Sequence, residues 1–152
     1  MDEMRHRQVF AAWREQVLAS GKINEGWAVY RSGGLFREAS PALPVTPALR
    51  NAVIPQTAIA AGHAFGVVWE GRMIAWAFCE APVHWPPGVM WVAVQTLEAY
   101  RRKGYALMAL TALRQAVEPH HTLVYLHTAG NQASGALAQA AGFVRDEIWQ
   151  TI

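Results

Sequence analysis

Val92-Ala93-Val94-Gln95-Thr96-Leu97-Glu98-Ala99-Tyr100-Arg101-Arg102-Lys103-Gly104-Tyr105-Ala106 is the stretch on which the reading of this chain turns. It opens as an apolar β-strand, passes through a short basic loop holding one glycine, and becomes an amphipathic helix at that glycine. The first turn of a helix leaves backbone N–H groups unpaired and carries a partial positive charge, so it attracts anions. Gly104 lets the backbone approach such an anion closely, and Ala106, almost without a side chain, leaves the first turn open. Arg101, Arg102 and Lys103 place three cationic side chains around the same point. A pyrophosphate suits this arrangement. A merely solvated basic loop ahead of a helix is the alternative that these residues leave open.

Beyond the loop, Leu107, Leu110, Leu113 and Val117 mark the buried face of a helix that begins at Gly104 and is closed by Pro119. Residues 123–126 form a short strand, and residues 131–141 a helix of small residues ended by Gly142. Phe143 leads into a closing segment. Before the loop, residues 64–69 and 72–78 are apolar runs around Glu70-Gly71, a two-residue hairpin signature. Pro86-Pro87-Gly88 turns the chain into the apolar run 89–94. Residues 1–20 read as an amphipathic helix with Val9, Trp13 and Val17 on its apolar side, Phe10 beside them, and Gly21 as its stop. Residues 27–30 are a strand followed by a Ser32-Gly33-Gly34 turn and Leu35-Phe36. The proline-rich residues 40–45 read as a loop folded over the sheet. Thr46-Pro47 predicts a helix start, running to Ile54 and ending before Pro55. A hairpin first and a strand–helix–strand crossover later predict a mixed α/β (α+β) fold, a mostly antiparallel sheet flanked by helices in a single domain.

Composition fits this and excludes several classes. With 53% hydrophobic and 16% charged residues among 152, the chain is too apolar to be disordered and long enough to bury a core. The net charge is only +2 and no long Lys/Arg stripe accompanies it, which argues against a nucleic-acid partner. Cys79 is the one cysteine, so no intramolecular disulfide forms, the pattern of a reducing compartment. No segment has the look of a signal peptide or membrane span, and a cytoplasmic location is expected.

The loop Arg101-x-x-Gly104-x-Ala106 resembles the Arg/Gln-x-x-Gly-x-Gly/Ala signature of the GNAT superfamily of acyl-CoA-dependent N-acyltransferases. Val94-x-Thr96 and Tyr100 stand where that family's fourth strand and aromatic loop residue fall. About 25 residues beyond Ala106, the run Asn131-Gln132-Ala133-Ser134-Gly135-Ala136-Leu137-Ala138-Gln139-Ala140-Ala141-Gly142-Phe143 is similar to the family's second landmark, an Asn, a short helix, then Gly-Phe. The resemblance covers residues 64–152. It implies a GNAT-like single domain, with residues 63–152 as the acyl-CoA-binding half and residues 1–62 as a helical and loop half on the acceptor side. It implies that the amides of Arg102, Lys103, Gly104, Tyr105 and Ala106, with Arg101 beside them, hold the pyrophosphate of acetyl-CoA. It further implies that Val94, Gln95 and Thr96 pair with the pantetheine arm, and that Asn131 sits near it. The thioester would lie where the family's fourth and fifth strands splay, open to direct attack by an amine. Many members carry a Tyr seven residues after the Asn as general acid. Ala138 stands there in this chain, in a Ser-x-x-Leu-Ala version of the helix that some branches share, so the proton donor is unassigned.

Direct transfer from a protonated amine needs a base or a water relay to one. Glu80 at a strand end and the imidazoles of His84 and His127 are the candidates. Each has a plainer reading as a solvated or hydrogen-bonded side chain. Ser134 could donate to the departing thiolate but reads rather as a helix cap. Cys79 could take the acyl group as a nucleophile but reads rather as a small buried hydrophobe, and Glu98 reads as a residue that orders the loop. His120-His121 resembles a metal pair, but sequence neighbours rarely face one ion and no third ligand follows, so no metal is expected. The tryptophans Trp27, Trp69, Trp76, Trp85 and Trp91 serve the core, an interface or an aromatic acceptor pocket. The leading reading is an acetyl-CoA-dependent N-acetyltransferase whose acceptor is a small-molecule or peptide amine, with small amines, amino acids, antibiotics and protein amino termini all open. Its rivals are a non-catalytic acyl-CoA-binding module and a structural or partner-binding domain. A homodimer is compatible with either.

Overall fold

The computed structural model describes residues 3–20, 27–34, 42–46, 53–128 and 130–146. In chain order the elements are α1 (Glu3–Ser20), β1 (Trp27–Arg31), β2 (Leu43–Pro44), α2 (Gln56–Ala60), β3 (Ala64–Trp69), β4 (Arg72–Glu80), β5 (Val89–Thr96), a 3-10 turn (Glu98–Tyr100), α3 (Tyr105–Val117), β6 (Thr122–Thr128), α4 (Gln132–Ala140) and β7 (Val144–Arg145). Glu70 and Gly71 both have positive φ, 51° and 74°, as a two-residue hairpin turn requires, and they join β3 to β4 as expected.

The strands form one seven-stranded sheet in the order β2-β3-β4-β5-β6-β1-β7. Every pairing is antiparallel except β5 with β6, which runs parallel because α3 carries the chain back across the sheet. That parallel pair is short: only Val89, Met90 and Trp91 face Thr122, Leu123 and Val124. Past Trp91 and Val124 the two strands diverge, while β5 stays paired to β4 as far as Thr96. The mixed sheet with flanking helices is the predicted fold class.

Period-two alternation sorts the strand residues onto two faces. One face carries Ala77 and Cys79 of β4, Met90 and Val92 of β5, Leu123 and Tyr125 of β6 and Tyr30 of β1, all buried under α3 and α4. The other carries Val29, Val89 and Val124 under Phe10, Trp13 and Val17 of α1. On that same side Trp76 and Phe78 pack with Ile54 and Ala58 around α2. The buried stripe of α1 is His6, Phe10, Trp13 and Val17; Val9, expected there, is only partly buried. His6 fits because its Nδ1 meets the Thr122 hydroxyl at 2.8 Å.

Three local expectations change. Leu43–Pro44 is not a loop over the sheet but a short edge strand on β3, a place where proline's missing N–H costs no ladder bond. Pro55 begins a helix instead of ending one: its extended backbone (φ −61°, ψ 139°) occupies the cap position of α2, while residues 53–54 form a turn. The rest of the helix expected after Pro47 falls on residues 47–52, outside the described residues, as do Gly21, Leu35-Phe36 and the closing residues 147–152. The sheet also draws on both sides of the expected boundary between residues 62 and 63, since β1 lies between β6 and β7.

Candidate functional site

The basic loop is built on two left-handed residues. Gly104 (φ 84°) caps α3 without any side-chain hydrogen bond, and Arg102 takes φ 66°, rare for a residue with a Cβ. Backbone that alternates hands in this way turns successive N–H groups toward one side and makes an anion-binding concavity. Arg101 Nε donates to Thr96 O at 3.2 Å, which ties the loop to the end of β5. Tyr100 and Tyr105 meet edge-on across the loop at 6.5 Å.

A groove of about 710 Å³ opens from this loop along the divergence of β5 and β6. Its walls are the amino-terminal turns of α3 and α4 and the last residues of β5. Of the expected cofactor residues, Val94, Gln95, Thr96, Arg101, Arg102, Gly104, Tyr105, Ala106 and Asn131 all line it. Lys103 does not: it is exposed on the loop. Because β6 leaves β5 after Trp91, no strand among the described residues pairs with residues 92–96 on that side. Asn131 is the cap of α4, its Oδ1 accepting from Ser134 N at 3.1 Å. Ser134 is therefore the capped residue and not the cap expected of it. Its hydroxyl instead meets Tyr125 Oη at 2.7 Å inside the groove.

The three proposed base residues lie off the groove lining. His127 is buried on β6; its Nε2 stands 3.0 Å from Tyr30 Oη and its Nδ1 2.6 Å from Thr128 O. With Nδ1–H donating to that carbonyl, Nε2 accepts from Tyr30, and both nitrogens are occupied. His84 is exposed in the turn between β4 and β5, at the end of the sheet away from the groove, where its carbonyl accepts from Gln16 Nε2. Glu80 ends β4, half-buried and in register with Trp91, on the sheet face opposite the groove but level with the point where β5 and β6 part. Cys79, beside it, is buried, and burial together with the Glu80 carboxylate pushes its thiol up to about 12, so it carries no thiolate near neutral pH.

Tyr125 was the residue that sequence reasoning passed over. A hydroxyl-bearing ring flanked by Leu123, Val124 and Leu126 was the available signal. It lies one position past the last β5–β6 pair, and its ring is held edge-on to Tyr30 at 5.8 Å and against Phe143 at 5.5 Å. Burial raises its phenol above the ordinary value, against the lowering effect of the Ser134 hydrogen bond, so it stays protonated. Among the described residues there is no cluster of three or more His, Cys, Asp or Glu that could hold a metal, and no helix long and apolar enough to cross a membrane.

A model of the acetyltransferase (GNAT) family matches residues 34–143. No curated protein matches the chain. Among solved structures, an acetyltransferase from the GNAT family of Colwellia psychrerythraea matches with a TM-score of 0.64 and 17% identity, over 80% of this chain and 53% of its own. The ribosomal-protein-alanine N-acetyltransferase of Brucella melitensis matches with a TM-score of 0.51 and 22% identity, over 57% of each chain. The chain thus spans little more than half the length of these two proteins, and identities this low speak for the shared fold alone.

Proposed function

Because the chain belongs to the acetyltransferase (GNAT) family, we propose that it transfers an acetyl group from acetyl-CoA to an amine by direct attack on the thioester. The observation that carries this reading is the meeting of nine of the ten expected cofactor residues in one groove. The fit is chemical as well as spatial. An uncapped helix terminus, a left-handed loop and Arg101 and Arg102 offer amides and positive charge to a pyrophosphate. The unpaired side of residues 92–96 offers backbone donors and acceptors to the amides of a pantetheine arm, as an added strand would receive them. Asn131 lines the far wall, where its side chain holds the first turn of α4 against that arm.

Acetyl-CoA, when bound, supplies an activated acyl carbon. The chain's part is to hold that carbon at the fork of β5 and β6, where an amine can reach it from the α1–α2 side of the sheet. Glu80 is the base we assign on that side, acting through water on the attacking amine. The acceptor is a small-molecule or peptide amine.

The test is a calorimetric titration with acetyl-CoA, followed by measurement of thiol release against a panel of amines, peptide amino termini and free amino acids. Binding with acceptor-dependent release is expected, with release from the best acceptor slowed about 100-fold or more in Glu80→Gln. Binding without release from any acceptor would favour the non-catalytic reading that Ala138 suggests. Absence of binding would overturn the assignment, and an undiminished Glu80→Gln enzyme would remove Glu80 from it.

A further inference from the structure

Aminolysis of a thioester leaves a thiolate, and a thiolate departs more readily when a proton reaches its sulfur as the carbon–sulfur bond breaks. The groove therefore needs an acid at the fork of the strands, and Ala138 has no proton to give. The described residues place one hydroxyl pair there. Tyr125 follows the last paired residue of β6, as Val92 follows the last paired residue of β5, so its ring stands at the apex of the divergence on the groove side. Its Oη lies 2.7 Å from Ser134 Oγ and 3.0 Å from Ser134 O, and both residues line the groove.

We propose that Tyr125 is the acid that protonates the departing thiolate, and that Ser134 returns the proton to it. This rests on the acyl-transfer reading above. The hydrogen bonds set the division of labour. At rest Tyr125 donates its proton to the Ser134 carbonyl, which can only accept, so the bond between the two hydroxyls runs from Ser134 Oγ to Tyr125 Oη. Rotation of the Tyr125 O–H away from that carbonyl turns its proton toward a thiolate in the groove, while Ser134 keeps donating to Oη. Tyr125 is the buried member of the pair and Ser134 the half-exposed one, so the relay runs from water through Ser134 to Tyr125. In the step itself the amine nitrogen bonds to the acyl carbon and the carbon–sulfur bond breaks. The electron pair leaves on sulfur, and the Tyr125 proton moves to it. The amine gives its surplus proton to the base side of the sheet, and the phenolate recovers one from solvent through Ser134, so protons balance.

The ring is fixed for this task from three sides. Tyr30 meets it edge-on and Phe143 packs obliquely against it, and His127, 6.4 Å from it, receives the Tyr30 hydrogen bond that holds Tyr30 in place. Gly135 belongs to the same device. A Cβ there would come within 3.0 Å of His127 Nε2 and 3.3 Å of Tyr30 Oη, so the glycine is what allows α4 to bring Ser134 this close to β6.

The experiment needs no acceptor. Coenzyme A is bound to the protein, and the ionisation of its thiol is followed by thiolate absorbance as pH rises. A hydroxyl aimed at the sulfur stabilises the thiolate, so the bound thiol should be about tenfold or more stronger as an acid than free coenzyme A. Tyr125→Phe should return it to the free value while leaving affinity for coenzyme A within about threefold. Substituting 3-fluorotyrosine at position 125, which preserves shape and packing, should shift the thiol titration further in the acidic direction. Identical thiol titrations in wild type, Tyr125→Phe and the fluorinated protein would overturn the proposal while leaving coenzyme A binding intact. Failure of wild type to bind coenzyme A would overturn both readings together.

Discussion

A Cβ added at residue 104 would meet no atom within 4 Å, so glycine stands there for its left-handed backbone and not for lack of room. Two substitutions separate those effects. Gly104→Ala adds only the cost of a left-handed non-glycine residue, about 1–2 kcal/mol. Gly104→Glu adds the same strain and also sets a carboxylate beside the amides that a pyrophosphate would use. Like charges about 4 Å apart near a protein surface repel by about 4 kcal/mol, so affinity for coenzyme A should fall at least about 100-fold beyond the alanine variant. Circular dichroism of both variants should remain that of the folded wild type. An isotherm for the glutamate variant equal to that of the alanine variant would remove the pyrophosphate from this loop. The loop was readable in advance because everything it needs is local: a strand end, a glycine and three cations within a few residues. Ser134 alone could be read as a donor to the thiolate, but its pairing with Tyr125 could not, since that depends on how far α4 is drawn toward β6. Asn131 is the cap because its side chain accepts from the amide three residues on, the N-cap spacing, and that amide belongs to Ser134.

Arg114 shows how an element can be anchored by a charged group buried on its apolar face. It is wholly buried on α3 and pairs with Glu118 one turn on, with Nη2 at 2.9 Å from Oε1. The same guanidinium donates to Gly34 O at 2.6 Å and to Ala141 O, and lies 5.0 Å over the Phe143 ring. Glu118 in turn accepts from Gly33 N at 3.1 Å. One ion pair thus joins α3, the turn after β1 and the end of α4, elements far apart in the chain. Removing the cation strands a carboxylate in the core, so Arg114→Ala should cost about 3–5 kcal/mol in urea unfolding. A loss below about 1 kcal/mol would mean that the network holds little. Helical and strand periods did predict α3, α4 and the β3–β4 hairpin, because each buries a regular apolar face. They misplaced the segment around Pro55, where one proline is compatible with either the end or the beginning of a helix and only the following turn decides.

At the scale of the whole molecule, the position of β1 is what local patterns could not reveal. It enters the sheet between β6 and β7, pairing with residues about a hundred positions away or more, and a five-residue strand carries no mark of so distant a partner. This arrangement brings α1 over the sheet and the basic side chain of Arg5 to the end opposite the groove. There His63, just before β3, meets His121, just before β6, edge-on at 5.3 Å. Burial and the neighbouring His121 hold the His63 imidazole below its ordinary value. Burial, His120 and Arg5 do the same for His121, against a smaller opposing hydrogen bond from Val117. A histidine whose folded-state value is depressed takes up its proton more readily in the unfolded chain. Above the ordinary value of about 6.5 neither state is protonated and the pair contributes no pH dependence. As pH falls through that value the unfolded chain gains protons first, so stability should decline until the folded state is protonated as well. Thermal melts at pH 7.5 and at about pH 5.5 should therefore show a drop in Tm that is distinctly smaller in the His63→Gln/His121→Gln double variant. Carboxylates contribute little to that interval because most titrate below it. Equal drops in wild type and double variant would mean that the two imidazoles, though close, are no less willing to accept protons in the fold than out of it.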